Sequence, residues 1–504
     1  MIEPILTALG AALAPGMLLT IALGVALGMV FGAMPGLSAT MAVALCLPLT
    51  YTMGPEQAMA LLMGLYIGGI SGGLITAILL RIPGTTSSIA TTFDGHPMAA
   101  RGEAGKALAG GVWSSFLGGL VSFVALMLLA PVMAGFAVTL GPHEYFALSV
   151  FALTLIGVLS SRSMAKGLAA GVLGMALAMV GPAPVGGGER FTFGIDALDS
   201  GFDLLPVLIG LFAVSEILAE AQKGISARLR PAHKVAGLGL GIREMLAQKW
   251  NFLRSTAIGL GIGILPGMGG GTSNLLAYAA AKSVSKTPEK FGKGTMDGVV
   301  ASESANNASI GGALIPLLTL GIPGDTVTAM LLGGLMIQGL APGPLLLTNH
   351  EDVVYSVYAA LLIGNVVMLL LMLLGIRAFV RVLSIPKYVL LPVVMVLCVV
   401  GAYGNNNRVF DVITLAIFGG LGLLLTRYGF PLPPLILGFV LGPIIERNFS
   451  EGMMASEGNA LGFLTHPISA AFLVIAALTF GLTLLQHHRS SRSRGTAETA
   501  EVHT

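Results

Sequence analysis

Charge is what this sequence has least of. Lys, Arg, Asp and Glu together make up 10% of its 504 residues, with a net charge of +2. Soluble domains carry roughly 25% charged residues. Hydrophobic residues reach 55% and the mean hydropathy is +0.88, which excludes an ordinary soluble globular domain. No Lys or Arg precedes Arg81. The N-terminus therefore lacks a basic n-region and does not read as a cleaved signal peptide, so its first apolar stretch is expected to stay. Cysteine is nearly absent. Cys46 and Cys398 stand alone in apolar surroundings, which excludes a disulfide framework or a cysteine metal site and reads as two buried thiols. No G-x-x-x-x-G-K-[ST] run occurs, so there is no phosphate loop for ATP. Strict polar–apolar alternation is missing too, which argues against a transmembrane β-barrel.

What is present is apolar length. Runs such as Gly118 to Leu140, Val353 to Gly375 and Leu461 to Leu485 are each long enough to span a bilayer. The expected fold is an all-α polytopic membrane protein of about twelve transmembrane helices, with some segments too short to cross. The basic residues cluster. Lys223, Arg228, Arg230, Lys234, Arg243, Lys249 and Arg254 lie in one polar connection, and Arg489, Arg492 and Arg494 in the tail. The positive-inside rule puts both in the cytoplasm. The expected organisation is a first transmembrane half over residues 1–222, a basic cytoplasmic connection over 223–254, a second half over 255–486 and a polar cytoplasmic tail over 487–504. Beside membrane spans, the basic run is a topology signal rather than a nucleic-acid patch.

Four Pro-Gly pairs interrupt the apolar stretches. Met34-Pro35-Gly36-Leu37-Ser38 and Arg81-Ile82-Pro83-Gly84-Thr85 form one pair of breaks. Leu265-Pro266-Gly267-Met268-Gly269 and Gly321-Ile322-Pro323-Gly324-Asp325 form a second. Proline removes a backbone donor and glycine admits any φ, so each pair stops a helix. Broken backbone at membrane depth survives only where protein or a water-filled cavity covers it. Interrupted helices at matching places in two halves point to a transporter's substrate site. Aligning Ile82-Pro83-Gly84 with Ile322-Pro323-Gly324 also aligns Gly72 with Gly312. The chain is thus expected to hold two repeated halves with broken or re-entrant helices, inverted being the commoner arrangement. The second copy is longer, with Lys282 to Lys293 as the insertion.

The residues at the breaks suggest chemistry. Gly269, Gly270, Gly271, Thr272, Ser273 and Asn274 follow the third break and can offer amides and hydroxyls to a carboxylate at a helix start. Glycine and serine also serve plain close packing there. Pro35, Gly36, Leu37 and Ser38, then Pro83, Gly84, Thr85, Thr86 and Ser87, make the first copy neutral and hydroxyl-rich. Pro266, Gly267, Pro323, Gly324 and Thr326 complete the expected substrate-binding set. Glu303, Asn306 and Asn307 are three and four residues apart and share a helix face. With Asp325 they form the expected coupling-ion site, hard oxygen ligands suited to Na⁺. Glu303 can equally carry a proton, or sit at the interface at the end of a polar loop. Asp325 can also be a plain N-cap. Glu303 and Asp325 are the only acids expected to lie deep. Asp94-Gly95-His96-Pro97 reads as a surface turn. No catalytic residue and no cofactor is expected, Na⁺ as coupling ion apart.

These breaks resemble the large permease subunit of the tripartite tricarboxylate transporter family. The resemblance rests on Gly32 to Ser38 and on the block from Gly64 to Gly105, with Leu65-Tyr66, Gly72-Gly73, Ile82-Pro83-Gly84-Thr85 and Asp94-Gly95-His96-Pro97. The second copy adds Leu265-Pro266-Gly267 and Ile322-Pro323-Gly324-Asp325. It covers about residues 16 to 440. His96 departs from it, standing where an aromatic such as Tyr is expected. The resemblance implies a bacterial inner-membrane subunit, a small membrane partner, a periplasmic solute-binding protein, and import of tricarboxylates or other organic acids driven by Na⁺ or H⁺.

Two other readings compete. Gly69-Ile70-Ser71-Gly72-Gly73 fits G-x-S-x-G formally, as in a membrane-embedded hydrolase, but that motif needs a strand–turn–helix setting and a histidine base. A passive channel for small anions would need a continuous pore rather than facing closed breaks.

Overall fold

The computed structural model describes residues 2–159, 163–222, 239, 242–382 and 387–501. Lys223, Arg228, Arg230 and Lys234 of the basic connection lie outside them. The described residues are helical apart from loops and one two-residue strand pair, Gly181–Pro182 with Glu189–Arg190. Among the described residues, seven helices are long and apolar enough to cross a membrane, and five shorter apolar helices accompany them. Cys46 and Cys398 are buried free thiols.

Two compact units divide the chain. One is Met1–Val138 with Asp203–Leu424, the other Thr139–Phe202 with Leu425–Thr504. In the second unit, Gly174 and Gly438 let helices Met164–Ala178 and Leu432–Ala455 pack backbone to backbone. Arg190 and Glu446 pair bidentately. His143 stacks on His466 with ring centroids 4.2 Å apart. All four Pro-Gly breaks lie in the first unit.

Glycine spacing shapes the first copy. Helix Pro15–Ala33 runs beside Pro55–Leu80 in the same direction. A methyl group on Gly24, Gly28 or Gly32 would fall 2.5, 2.4 or 2.2 Å from the carbonyl oxygens of Leu61, Leu65 and Gly69. Such close approach replaces missing hydrophobic drive between helices in lipid. Met34 ends the first helix with extended backbone, and Gly36 turns the chain at φ +88°. Ser38 then caps helix Ala39–Cys46 by accepting from Met41 N at 3.1 Å. Ala39 sits against Gly69, deep along the Pro55–Leu80 helix. The chain must return from there to Pro55, so the pair of helices is re-entrant.

The second copy repeats this. Helix Lys249–Ile264 runs beside Met296–Leu320, with Gly259 on the carbonyl of Ala305 and Gly263 on that of Ser309. These glycines occupy the places of Gly28 and Gly32. Gly72 on Met29 O recurs as Gly312 on Leu260 O. Helices Pro55–Leu80 and Met296–Leu320 both end on a left-handed residue, Arg81 at φ +58° and Gly321 at φ +71°. Ile82 N donates to Thr76 O as Ile322 N donates to Pro316 O. The chain then folds back, with Gly84 against Gly32 O and Gly324 against Gly263 O.

The copies run in opposite directions. Ser71 bonds Asn307, while Tyr66, nearer the start of its helix, reaches Asp325 beyond the end of the other. At the opposite end, Gly95 packs on Ile78 and its neighbour Asp94 on Gly298. Helices Pro55–Leu80 and Met296–Leu320 are therefore antiparallel, and the repeat is inverted. Helix Ala104–Ala137 lies along Met296–Leu320, from Gly110 on Met296 to Gly118 on Ser304.

One end of this bundle is basic. Arg101 bonds the loop at Lys293, Lys106 bonds Glu244, and Gln248 bonds Asp297. The other end is acidic, where a cavity of about 400 Å³ is lined by Glu3, Glu56, Glu351, Asp352 and Tyr355.

Candidate functional site

The four breaks meet in a ring. The first touches the fourth, where the Thr40 and Thr326 hydroxyls are 2.9 Å apart. The fourth touches the third, where a side chain on Gly269 would lie 2.7 Å from Asp325 Cβ. The third touches the second, with Gly270 against Ser87 Oγ and Gly271 against Thr86. Gly84 on Gly32 O closes the circle. Gly269 holds φ +55°, so both its backbone and its surroundings require the absence of a side chain.

Each break presents different chemistry. At the fourth, Asp325 caps helix Thr326–Ile337 by accepting from Thr328 N at 2.7 Å, and Thr328 Oγ1 accepts from Asp325 N at 2.8 Å. Its carboxylate thus occupies the positive helix start. At the second, Thr85 N donates to Ser88 Oγ at 3.3 Å, the same arrangement one copy earlier. Thr85 Oγ1 is buried there without a partner. At the third, Pro266-Gly267 leads to helix Gly269–Val284, which begins with no side-chain cap. Its first turn carries no capping side chain, and Thr272 in it is half-buried. Ser273 and Asn274 are fully buried. Ser273 donates to Gly270 O, while Asn274 accepts from Ala90 N and donates to Ser302 O. They brace the second break against helix Met296–Leu320.

The first break departs from the sequence reading. Its copy is not neutral. Ser38 Oγ donates to Glu216 Oε2 at 3.1 Å, and a side chain on Gly36 would fall 2.6 Å from Glu220 Oε2. Glu220 is buried. Both acids come from helix Ser215–Gln222 and lie one turn apart. Their signal was two acids four residues apart closing an apolar run, which looks like an ordinary helix end at the membrane surface. Acids therefore stand against the breaks of both copies.

The Glu303 cluster is fully buried within the protein. Glu303 Oε1 accepts from Thr91 Oγ1 at 2.5 Å, and Oε2 from Ser115 Oγ at 3.0 Å and Asn306 Nδ2 at 3.2 Å. Asn306 also donates to Ser87 O of the second break at 2.9 Å. Asn307 Nδ2 donates to Asn306 Oδ1 at 2.6 Å, and Asn307 Oδ1 accepts from Ser71 Oγ at 2.8 Å. Thr91, Ser115 and Ser71 all belong to the first copy, so the site is shared between copies. All three donors to Glu303 are neutral. Asp325 does not join this cluster: its partners are Thr328 and Tyr66, whose hydroxyl donates at 2.6 Å. The expected coupling set thus divides in two, Glu303 with both asparagines and Asp325 apart. Ser71 lies within a helix, bonded to Asn307, with Gly72 packed on Met29, not on a strand-to-helix turn.

The turn expected at Asp94 is a helix. Thr91–Met98 is helical and Asp94 is fully buried. Asp-Gly-His-Pro looks like turn chemistry, but Pro97 falls where the chain continues in a wide turn through Ala99–Glu103.

The sequence matches the tripartite tricarboxylate transporter TctA family over residues 18–437. The chain belongs to that family. It is 38% identical over 451 residues to an uncharacterised 52.8 kDa protein in the TAR-I ttuC' 3' region of Agrobacterium vitis, covering 90% of each chain. It is 39% identical over 233 residues to an uncharacterised protein in the TAR-II ttuC' 3' region of the same organism, covering 46% of this chain and 96% of that one. No solved structure matches it. TctA is a transporter family, so this chain is a multi-pass membrane component of tricarboxylate transport.

Proposed function

We propose that this TctA protein is the large permease subunit of a bacterial inner-membrane secondary transporter that imports tricarboxylates or related organic acids with Na⁺ or H⁺. It works with a small membrane subunit and a periplasmic solute-binding protein. The observation that carries this is the buried Glu303, held only by neutral donors beside a ring of four helix breaks. A carboxylate at membrane depth with no fixed cation is costly and marks an ion pathway. The uncapped start of helix Gly269–Val284 takes the solute's carboxylate, with Thr86, Ser87 and Thr272 beside it. The basic end faces the cytoplasm by the positive-inside rule, and the acidic end faces the solute-binding protein.

The test is uptake of labelled citrate and other organic acids into membrane vesicles carrying all three components. Uptake that needs the binding protein and collapses with Na⁺ or H⁺ ionophores supports the reading. Uptake that equilibrates without an ion gradient and never accumulates solute favours a passive channel instead.

A further inference from the structure

The short helix Thr91–Met98 belongs to the first copy, yet it lies along the second. Thr91 and Asp94 are three residues apart and share one face. Thr91 reaches Glu303 as described. One turn on, Asp94 grips the loop that precedes helix Met296–Leu320. Its Oδ1 accepts from the backbone N–H groups of Gly292, Gly294 and Thr295 at 3.0, 2.7 and 2.9 Å. Its Oδ2 accepts from Tyr278 Oη at 2.9 Å. Gly292 and Gly294 hold φ +81° and +98°, turning successive amides into a nest for an anion. Gly298 leaves no room for a side chain, since a methyl there would meet Asp94 Oδ2 at 2.1 Å. Arg101 adds a second hold, donating to Lys293 O at 2.6 Å and Gly294 O at 2.5 Å.

We infer that helix Thr91–Met98 is the inner gate over the Glu303 site, and that Asp94 is its latch on the Gly292–Thr295 loop. This rests on the reading of Glu303 as the coupling group. The gate joins the two copies at the basic end, and inward opening requires one copy to move against the other there. Thr91 and Asp94 occupy one helical turn, so they move as a unit. An ion at Glu303 takes over the carboxylate oxygen that Thr91 holds, which removes one of the bonds that keep the turn in place beside those of Thr91 to Ser302 Oγ and of Ala90 N to Asn274; when the turn withdraws, Asp94 leaves the nest with it. Ion occupancy is thereby tied to opening on the cytoplasmic side. Asp94 is a positioning residue in this scheme and touches neither ion nor solute.

The experiment uses vesicles carrying the complete transporter. Without solute, leakage of ²²Na⁺ and of protons (trapped pyranine) is followed for wild type and Asp94→Asn. Asparagine still accepts from the loop amides, but it removes the charge that strengthens those bonds and puts a donor where Tyr278 donates, so the closed population falls by about tenfold and the variant should leak about tenfold faster. Because Asp94→Asn could fail to fold, a second variant keeps Asp94. Arg101→Cys/Lys293→Cys is bridged by a short bis-methanethiosulfonate and released by dithiothreitol, with single-cysteine controls; Cys46 and Cys398 are buried. The bridge should abolish uptake and reduction should restore it. Uptake at full rate with the bridge in place, or an Asp94→Asn leak equal to wild type, would overturn the gate. If Glu303→Gln keeps its ion dependence while the bridge still blocks uptake reversibly, the coupling assignment fails and the gate stands.

Discussion

Tyr66 Oη donates to Asp325 Oδ2 at 2.6 Å, from the crossing helix of one copy to the last break of the other. Both groups are buried. The same carboxylate caps helix Thr326–Ile337 through Thr328, so the bond fixes how the fourth break is presented to the ring. Tyr66→Phe keeps the ring and removes the donor. The expected loss is ~1.5–3 kcal/mol, the range for a hydrogen bond to a charged group, read as a lower unfolding midpoint in detergent. An unchanged midpoint would separate the pair energetically.

The inverted repeat predicts paired effects. Gly28 and Gly259 hold equivalent positions, 2.4 and 2.2 Å (for an added methyl) from the carbonyls of Leu65 and Ala305. Gly28→Ala and Gly259→Ala should each destabilise by about 1–3 kcal/mol through forced backbone shifts. Gly261, two residues along the same helix, has nothing within 4 Å. Gly261→Ala should be neutral or slightly stabilising. Thermal unfolding of the three variants side by side checks this, and equal behaviour of Gly259→Ala and Gly261→Ala would contradict the packing.

Gly36 is constrained twice, by φ +88° and by the Glu220 carboxylate beside it. Gly36→Ala pays left-handed strain of about 1–2 kcal/mol and pushes Glu220 away from the first break. Uptake should fall sharply even where the protein still reaches the membrane. Normal uptake by Gly36→Ala would remove Glu220 from the ring.

Ser71 distinguishes the transporter from a hydrolase. Its hydroxyl is spent on Asn307 Oδ1. Ser71→Ala leaves that buried acceptor short of a donor at a cost of about 1–3 kcal/mol and weakens the Glu303 network. Wild-type protein should not react with a serine-directed fluorophosphonate. Labelling abolished by Ser71→Ala would revive the hydrolase.

The breaks were legible because proline and glycine act locally: Pro35-Gly36 and Pro323-Gly324 stop helices whatever surrounds them. Glu303, Asn306 and Asn307 were legible as one face because helix periodicity alone places them together. What the sequence hid was tertiary. Two of the three donors to Glu303 come from Thr91 and Ser115, 212 and 188 positions away, and nothing local announces them. Glu216 and Glu220 sit beside the basic connection and resemble a solvated helix end until the fold turns them onto Gly36 and Ser38. Asp94 is written in turn chemistry, and its burial is explained by distant partners, the Gly292–Thr295 amides and Tyr278. Asp325 shares a copy with Glu303 but not a network, because the chain folds back after Pro323 and carries it towards Tyr66.

The most direct measurement is the ion dependence of solute uptake by Glu303→Gln in vesicles carrying the complete transporter. Glutamine keeps the shape and removes the charge that the buried site is built around. Concentrative uptake is expected to be lost, or no longer to respond to the Na⁺ or H⁺ gradient that drives wild type, while the variant still assembles in the membrane. Wild-type uptake with unchanged ion dependence would contradict it.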